Sequence, residues 1–247
     1  MKAIISVLML IMAQTALFGQ MISSVVIDST LHDGFHRIPY GNMMVSGTIE
    51  NGLKQGLWAI YFPTGQIHML EHYDRGMKKG LFLQIARNGN VQEQSSFYND
   101  TLHGTLLRFA AGGRLTLEEH YVMGLLDSVR KVFYDRGALQ EEANFKLGQR
   151  HGTSKWYDES GNLIAEYKYE EGLFHGKQMT YFPDGSVKSE RNYSLNQYEG
   201  PVKEFHQNGV LKTEGNHSEG VPHGIWKEYD ESGKLIRSIK YVRGKEK

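Results

Sequence analysis

The chain contains no cysteine. That excludes disulfides, thiolate metal sites, a cysteine nucleophile and a lipid anchor carried on cysteine. It has no charge imbalance either: Lys+Arg and Asp+Glu stand at 28 each, so no field of one sign favours nucleic acid or an anionic membrane. Beyond the first twenty residues there is no long apolar run. Glycine and tyrosine, in contrast, are abundant at 28 and 14 residues, the composition of short strands joined by tight turns.

The opening segment, "MKAIISVLMLIMAQTALFGQ", has Lys2, an apolar run from Ala3 to Ala13, and small residues at Ala16 and Gly19. This is the order of a secretory signal peptide. The apolar run is short for a membrane span, which needs about 20 residues. Residues 1–20 are therefore expected to be removed after Gly19 or Gln20, placing the mature chain in the periplasm or outside the cell.

The remainder of the chain is repetitive. Steps of 24 residues from Tyr73 give Phe97, Tyr121, Phe145, Tyr169, Tyr193, His217 and Tyr241. From Tyr61 they give Ile85, Phe109, Phe133, Tyr157, Tyr181, Phe205 and Tyr229, and from Ile67 an aliphatic column ending at Leu235. An unbroken glycine column runs Gly65, Gly89, Gly113, Gly137, Gly161, Gly185, Gly209, Gly233, and two looser ones start at Gly52 and Gly56. A fixed period of this size defines a repeat array. Residues 49–240 hold eight units, preceded by an N-terminal cap (21–48) and followed by a polar tail (241–247) that blunts the last edge.

Each unit reads as a β-hairpin. In "YFPDGSV", Pro183 and Asp184 suit the centre of a type I turn, and Gly185 the left-handed position that closes it with a bulge. With Pro63–Gly65 in the loop, Tyr61 faces Ile67, and Tyr73 has the parity of Ile67. One face should then carry both aromatic columns. The other should carry Glu118, Glu142, Glu166, Glu190 and Glu214, together with Trp58, Trp156 and Trp226. Strands about 4.8 Å apart advance the array by about 10 Å per unit, or about 80 Å in all. The expected fold is all-β: an elongated single-layer antiparallel hairpin array of eight 24-residue repeats.

The unit "G…G.W..Y…G.L…E..Y", clearest in "NGLKQGLWAIYFPTGQIHMLEHY" and "EGVPHGIWKEYDESGKLIRSIKY", resembles the variant class of MORN repeats, and the resemblance covers nearly the whole mature chain. It departs where the tryptophan column is kept only at Trp58 and Trp226 and where Ser128 replaces glycine. The resemblance implies a non-enzymatic interaction scaffold. Some proteins of this kind are labelled antitoxin components, and others in the broader group are discussed as lipid binders. A leucine-rich repeat can also have this period, but needs several leucine columns per unit.

No catalytic or metal-binding residue and no cofactor is expected. His103, His151, His175 and His223 share a column, but neighbours about 10 Å apart cannot both sit about 2.1 Å from one zinc ion; they read as connector residues. The glutamate column reads as ion pairs on a wet face. The surface offered for binding is the tyrosine stripe, Tyr61, Tyr73, Tyr157, Tyr169, Tyr181, Tyr193 and Tyr229, because a single layer leaves its apolar face partly open. A protein partner is the first expectation and an envelope glycan stacked on the tyrosines the alternative. Nucleic acid and membrane lipid are not expected.

Overall fold

The structure, a computed structural model, describes residues 31–247; the signal-peptide reading of residues 1–20 and the first part of the cap lie outside them. The described residues contain strands and turns and no helix. They form one antiparallel meander in which each strand pairs with its neighbours in the chain. The first strand, Gly34–Tyr40, pairs with Met43–Glu50 across a two-residue turn and without register shift. Eight hairpins come next, from Leu53–Asp74 (hairpin one) to Val221–Val242 (hairpin eight), and Lys245–Glu246 adds a last short strand. The first strands of hairpins three, four and six are each interrupted near their start, as at Thr101–Leu102 and Gly104–Phe109.

The turn within each hairpin has the expected form. Phe62 N–H donates to the Gln66 carbonyl and Gly65 N–H to the Phe62 carbonyl, both at 2.8 Å. All eight glycines of the unbroken column have φ between 79° and 91°, which only glycine adopts without penalty. The turns between hairpins are different and equally regular. Arg75 and Gly76 have φ of 48° and 81°, and each later hairpin opens on the same left-handed pair, the signature of a two-residue type I′ turn. The looser glycine column that begins at Gly52 is the second position of this turn. Its two departures, Asp100 and Asn196, are residue types that tolerate φ of 63° and 68°.

Every hairpin also carries a bulge not foreseen from the sequence. Tyr61 pairs with Ile67, as expected, but Ile60 pairs with Met69, leaving His68 without a partner. The same slip occurs in all eight hairpins. It inverts the expected faces. Trp58 and Tyr73 lie on one side, edge to face at 6.4 Å. Tyr61 lies on the other, where its hydroxyl meets Ser46 Oγ at 3.3 Å. A second irregularity sits between hairpins: Glu71 pairs with Phe82 and Tyr73 with Lys78, so three residues around Gly80 oppose His72. The glycine column from Gly56 to Gly224 serves this position with φ of 69–98°, and Ser128 adopts φ 71° there.

Bulges bend and twist the strands that carry them. The two faces of the single layer are unequally covered, and the deeper burial lies on the face that holds Trp58 and Tyr73. Val45, Ile49, Trp58 and Ile60 are each 1% exposed with no second layer above them. We call this the inner face.

Candidate functional site

The inner face changes character along the array. At the N-terminal end Val45, Ile49, Trp58, Ile60, Met69, Tyr73 and Phe82 form a closed apolar core, with Leu31, Tyr40, Met43 and Phe97 packed against it. Trp58 lies flat over Gly47: a Cβ at Gly47 would fall 2.1 Å from the indole. Lys54 Nζ stands 5.0 Å from the Trp58 ring and 4.5 Å from the Tyr73 ring. Burial makes its charged form harder to hold, so its pKa falls below the usual lysine range. Tyr73 donates to Glu71 at 2.8 Å, and Lys78 pairs with Glu71 at 2.7 Å. Burial first, and Glu71 second, push the Tyr73 hydroxyl far above its ordinary pKa.

In the middle the interior is ionic. Tyr121 donates to Glu119, which pairs with Arg130 at 2.9 Å; Arg130 pairs with Glu141 at 2.7 Å, and Glu141 with Arg150. Arg150 also lies over the rings of Phe145, Trp156 and Tyr169 at 5.2–5.5 Å. The ladder alternates in sign and its members satisfy one another, the condition for tolerating buried charge.

At the C-terminal end the interior is a run of rings. Trp156, Tyr167, Phe174, Tyr193, Tyr198, His217, Trp226 and Tyr241 succeed one another at centroid distances of 4.5–6.2 Å, and Tyr169 joins at Phe174. These rings are half-buried. Tyr169 is pushed up to about 12 by burial, opposed by Arg150. Trp226 repeats the seat of Trp58, over Gly215 and with its Nε1–H on the Asn216 carbonyl at 3.2 Å.

The seven tyrosines expected to form one stripe therefore divide. Tyr73, Tyr169 and Tyr193 are inner-face residues; Tyr73 is 4% exposed, and the other two are held between neighbouring rings. Tyr61, Tyr157, Tyr181 and Tyr229 take the opposite parity onto the outer face, where Tyr229 donates to Glu214 at 2.8 Å. The cause is the unpaired residue after the aliphatic column. A signal for it existed. Trp58 and Trp226 each stand eleven residues after a glycine, Gly47 and Gly215, and that glycine makes room for an indole lying across the next strand.

The outer face carries the glutamate column, paired with lysines as at Lys177–Glu190 (2.8 Å) and Lys227–Glu214 (3.4 Å). The histidine column lies at its border, exposed. His103 Nδ1 accepts from Met123 N–H at 3.3 Å, a contact that Gln55, Asp127 and Glu199, which occupy the same column, make in their own hairpins. Among the described residues no group of three or more acidic or histidine side chains is placed to hold a metal ion.

One part of the outer face was not singled out by sequence. In hairpins one and two it is apolar: Leu57 is 59% exposed, Leu81 48% and Leu53 46%, with Met77 beside them. Leu57, Leu70 and Leu81 line a groove of about 450 Å³, rimmed by Gln55, His72, Asp74 and Lys79. The positions equivalent to Leu57 and Leu81 in hairpins three, five and six hold Thr105, Thr153 and Lys177. Those equivalent to Leu70 in hairpins three to seven hold Glu118, Glu142, Glu166, Glu190 and Glu214.

Geometry and period thus define a single-layer hairpin repeat protein. Four consecutive segments, residues 150–171, 174–194, 198–219 and 222–243, match the MORN repeat variant family. The four matches coincide with hairpins five to eight. No curated protein matches it significantly. MORN repeats are in general protein- or membrane-interaction scaffolds and are a non-catalytic repeat type.

Proposed function

We propose that this protein is a non-enzymatic scaffold of the cell envelope or cell exterior that binds a protein partner through the outer face of hairpins one and two. One observation carries this reading. A repeat array contains its own controls, because equivalent positions share backbone geometry, neighbours and solvent access. Where hairpins three, five and six place Thr105, Thr153 and Lys177, and hairpins three to seven place glutamate in the Leu70 column, hairpins one and two place Leu57, Leu81 and Leu70, with Leu57 and Leu81 about half exposed around a groove; hairpins four, seven and eight hold Val129, Pro201 and Ile225 in the Leu57 column. The backbone does not require leucine there. Exposed apolar clusters of this kind mark contact surfaces, and a groove between aliphatic side chains suits an apolar anchor from another protein.

The tyrosine columns support stability more than recognition in this reading. Their inner-face members stack on one another and leave little ring surface for a sugar, so the glycan alternative has less support than the protein partner. The location rests on the signal-peptide reading of residues 1–20, which also speaks against an antitoxin acting on a cytosolic toxin.

Crosslinking of the tagged protein in its native cells tests the surface. Leu57→Asp with Leu81→Asp should abolish the captured species, whereas Thr153→Asp with Lys177→Asp, the equivalent pair in hairpins five and six, should leave it. Equal capture by both pairs contradicts the reading. Amino-terminal sequencing of the secreted chain should begin at Gln20 or Met21; a retained Met1 in the cytosol contradicts the location.

A further inference from the structure

His217 is the one member of its column that is neither tyrosine nor phenylalanine. Its ring lies nearly parallel to Tyr198 of hairpin seven, at 4.8 Å and 24°, and edge-on to Trp226 of hairpin eight, at 5.1 Å and 85°. Its backbone pairs with Gly200 on one side and Pro222 on the other. The imidazole therefore sits at the seam between the two hairpins. The seat of Trp226 belongs to the same short stretch: Gly215 lies beneath the indole and the Asn216 carbonyl accepts its N–H. Whatever displaces His217 also disturbs the tryptophan that anchors hairpin eight.

The Nδ1 atom of His217 is buried and has no hydrogen-bond partner. Neutral imidazole needs only one of its nitrogens to donate, but in imidazolium both do. Protonation therefore places an N–H where no acceptor stands, and a buried donor left unsatisfied is unfavourable. The surrounding charges add to this. Arg191, on Val187–Ser194, opposes protonation, while Glu199, on Gln197–Phe205, favours it more weakly. Glu204 on that same strand is engaged with Arg191 at 2.6 Å. From hairpin eight come Pro222, Trp226 and Glu228, which pairs level with Thr213. Beyond them Arg237 faces Glu246 at 3.6 Å, and burial pushes the Tyr193 hydroxyl up.

We propose that His217 is a pH-responsive seam: its protonation loosens hairpin eight from hairpin seven while the N-terminal hairpins stay closed. Burial first, and Arg191 second, hold its pKa below the ordinary histidine value. The unfolded chain thus takes up the proton before the folded one. The stabilisation from neutral His217 is full above about pH 6.5 and is lost as pH falls from there through the lowered pKa.

Two measurements on the full mature chain test this. An NMR titration should give His217 a midpoint below that of the exposed His151 and His175. Amide exchange, corrected for intrinsic rates, should show protection in Val221–Val242 falling severalfold between pH 7.5 and 5, with Leu53–Asp74 unchanged. His217→Tyr, which restores the residue type of the column, should remove the pH-dependent loss. A His217 midpoint at or above those of the exposed histidines, or an equal loss in His217→Tyr, overturns the proposal, and the NMR midpoint is read on the unmodified chain.

Discussion

The two ends of this array share one backbone and fill it differently. At the N-terminal end the inner face is closed by its own apolar side chains, with Trp58 and Ile60 at 1% exposure. At the C-terminal end the same columns hold Gln178, Ser189 and Val202, and the work of closure passes to a run of half-buried rings from Trp156 to Tyr241. Between them the ionic chain from Glu119 to Arg150 joins the two regimes. Turn glycines, bulges and pairing register are common to both regions and hence fix the fold. The side chains on the inner face then decide how firmly each hairpin is held, since in a linear array each unit leans only on its neighbours. The family match falls on hairpins five to eight.

Substitutions at matched positions sharpen this comparison, and the tryptophans should show the largest effect. Trp58→Ala empties a closed core and should cost about 3–5 kcal/mol in denaturant unfolding; Trp226→Ala, half exposed, should cost about half as much. Equal costs would break the comparison. Next come the glycines beneath them. Gly47→Ala drives a methyl group into an indole that has nowhere to go and should cost about 1–3 kcal/mol. Gly215→Ala meets Trp226 just as closely, but that ring can swing towards solvent, so its cost should be smaller. At the junction, Arg130→Met leaves Glu119 with only the Tyr121 hydroxyl and Glu141 with only Arg150, and should cost about 2 kcal/mol, reduced from the buried-pair range by partial exposure. Smallest is a gain: Ser128 holds a left-handed conformation that a side chain disfavours, and Ser128→Gly should add about 0.5–1 kcal/mol.

Much of the architecture was legible because it is written in backbone requirements. Gly65 and its seven equivalents must take positive φ, and their spacing of 24 exposed the period, the turn and the meander. Asp100 and Asn196 fit the second turn for the same reason. The assignment of faces was not legible from parity. One unpaired residue per hairpin, His68 in the first, reverses the side on which Tyr73 lies relative to Tyr61, and a polar residue in that slot looks like ordinary alternation. The reversal left one trace, three tryptophans assigned to a wet face, and its resolution lay in Gly47 and Gly215. The groove formed by Leu57, Leu70 and Leu81 was written in the sequence too, but only comparison of outer-face columns across hairpins separates it from the leucines of the strands at large.

The interior of this single layer is sealed at one end and progressively opened towards the other. Native-state amide exchange, resolved hairpin by hairpin at neutral pH, tests that gradient most directly. Protection should be greatest in Met43–Asp74, intermediate across the ionic junction and least in Val221–Val242. Uniform protection along the array, or slowest exchange in the ring-filled hairpins, would contradict it.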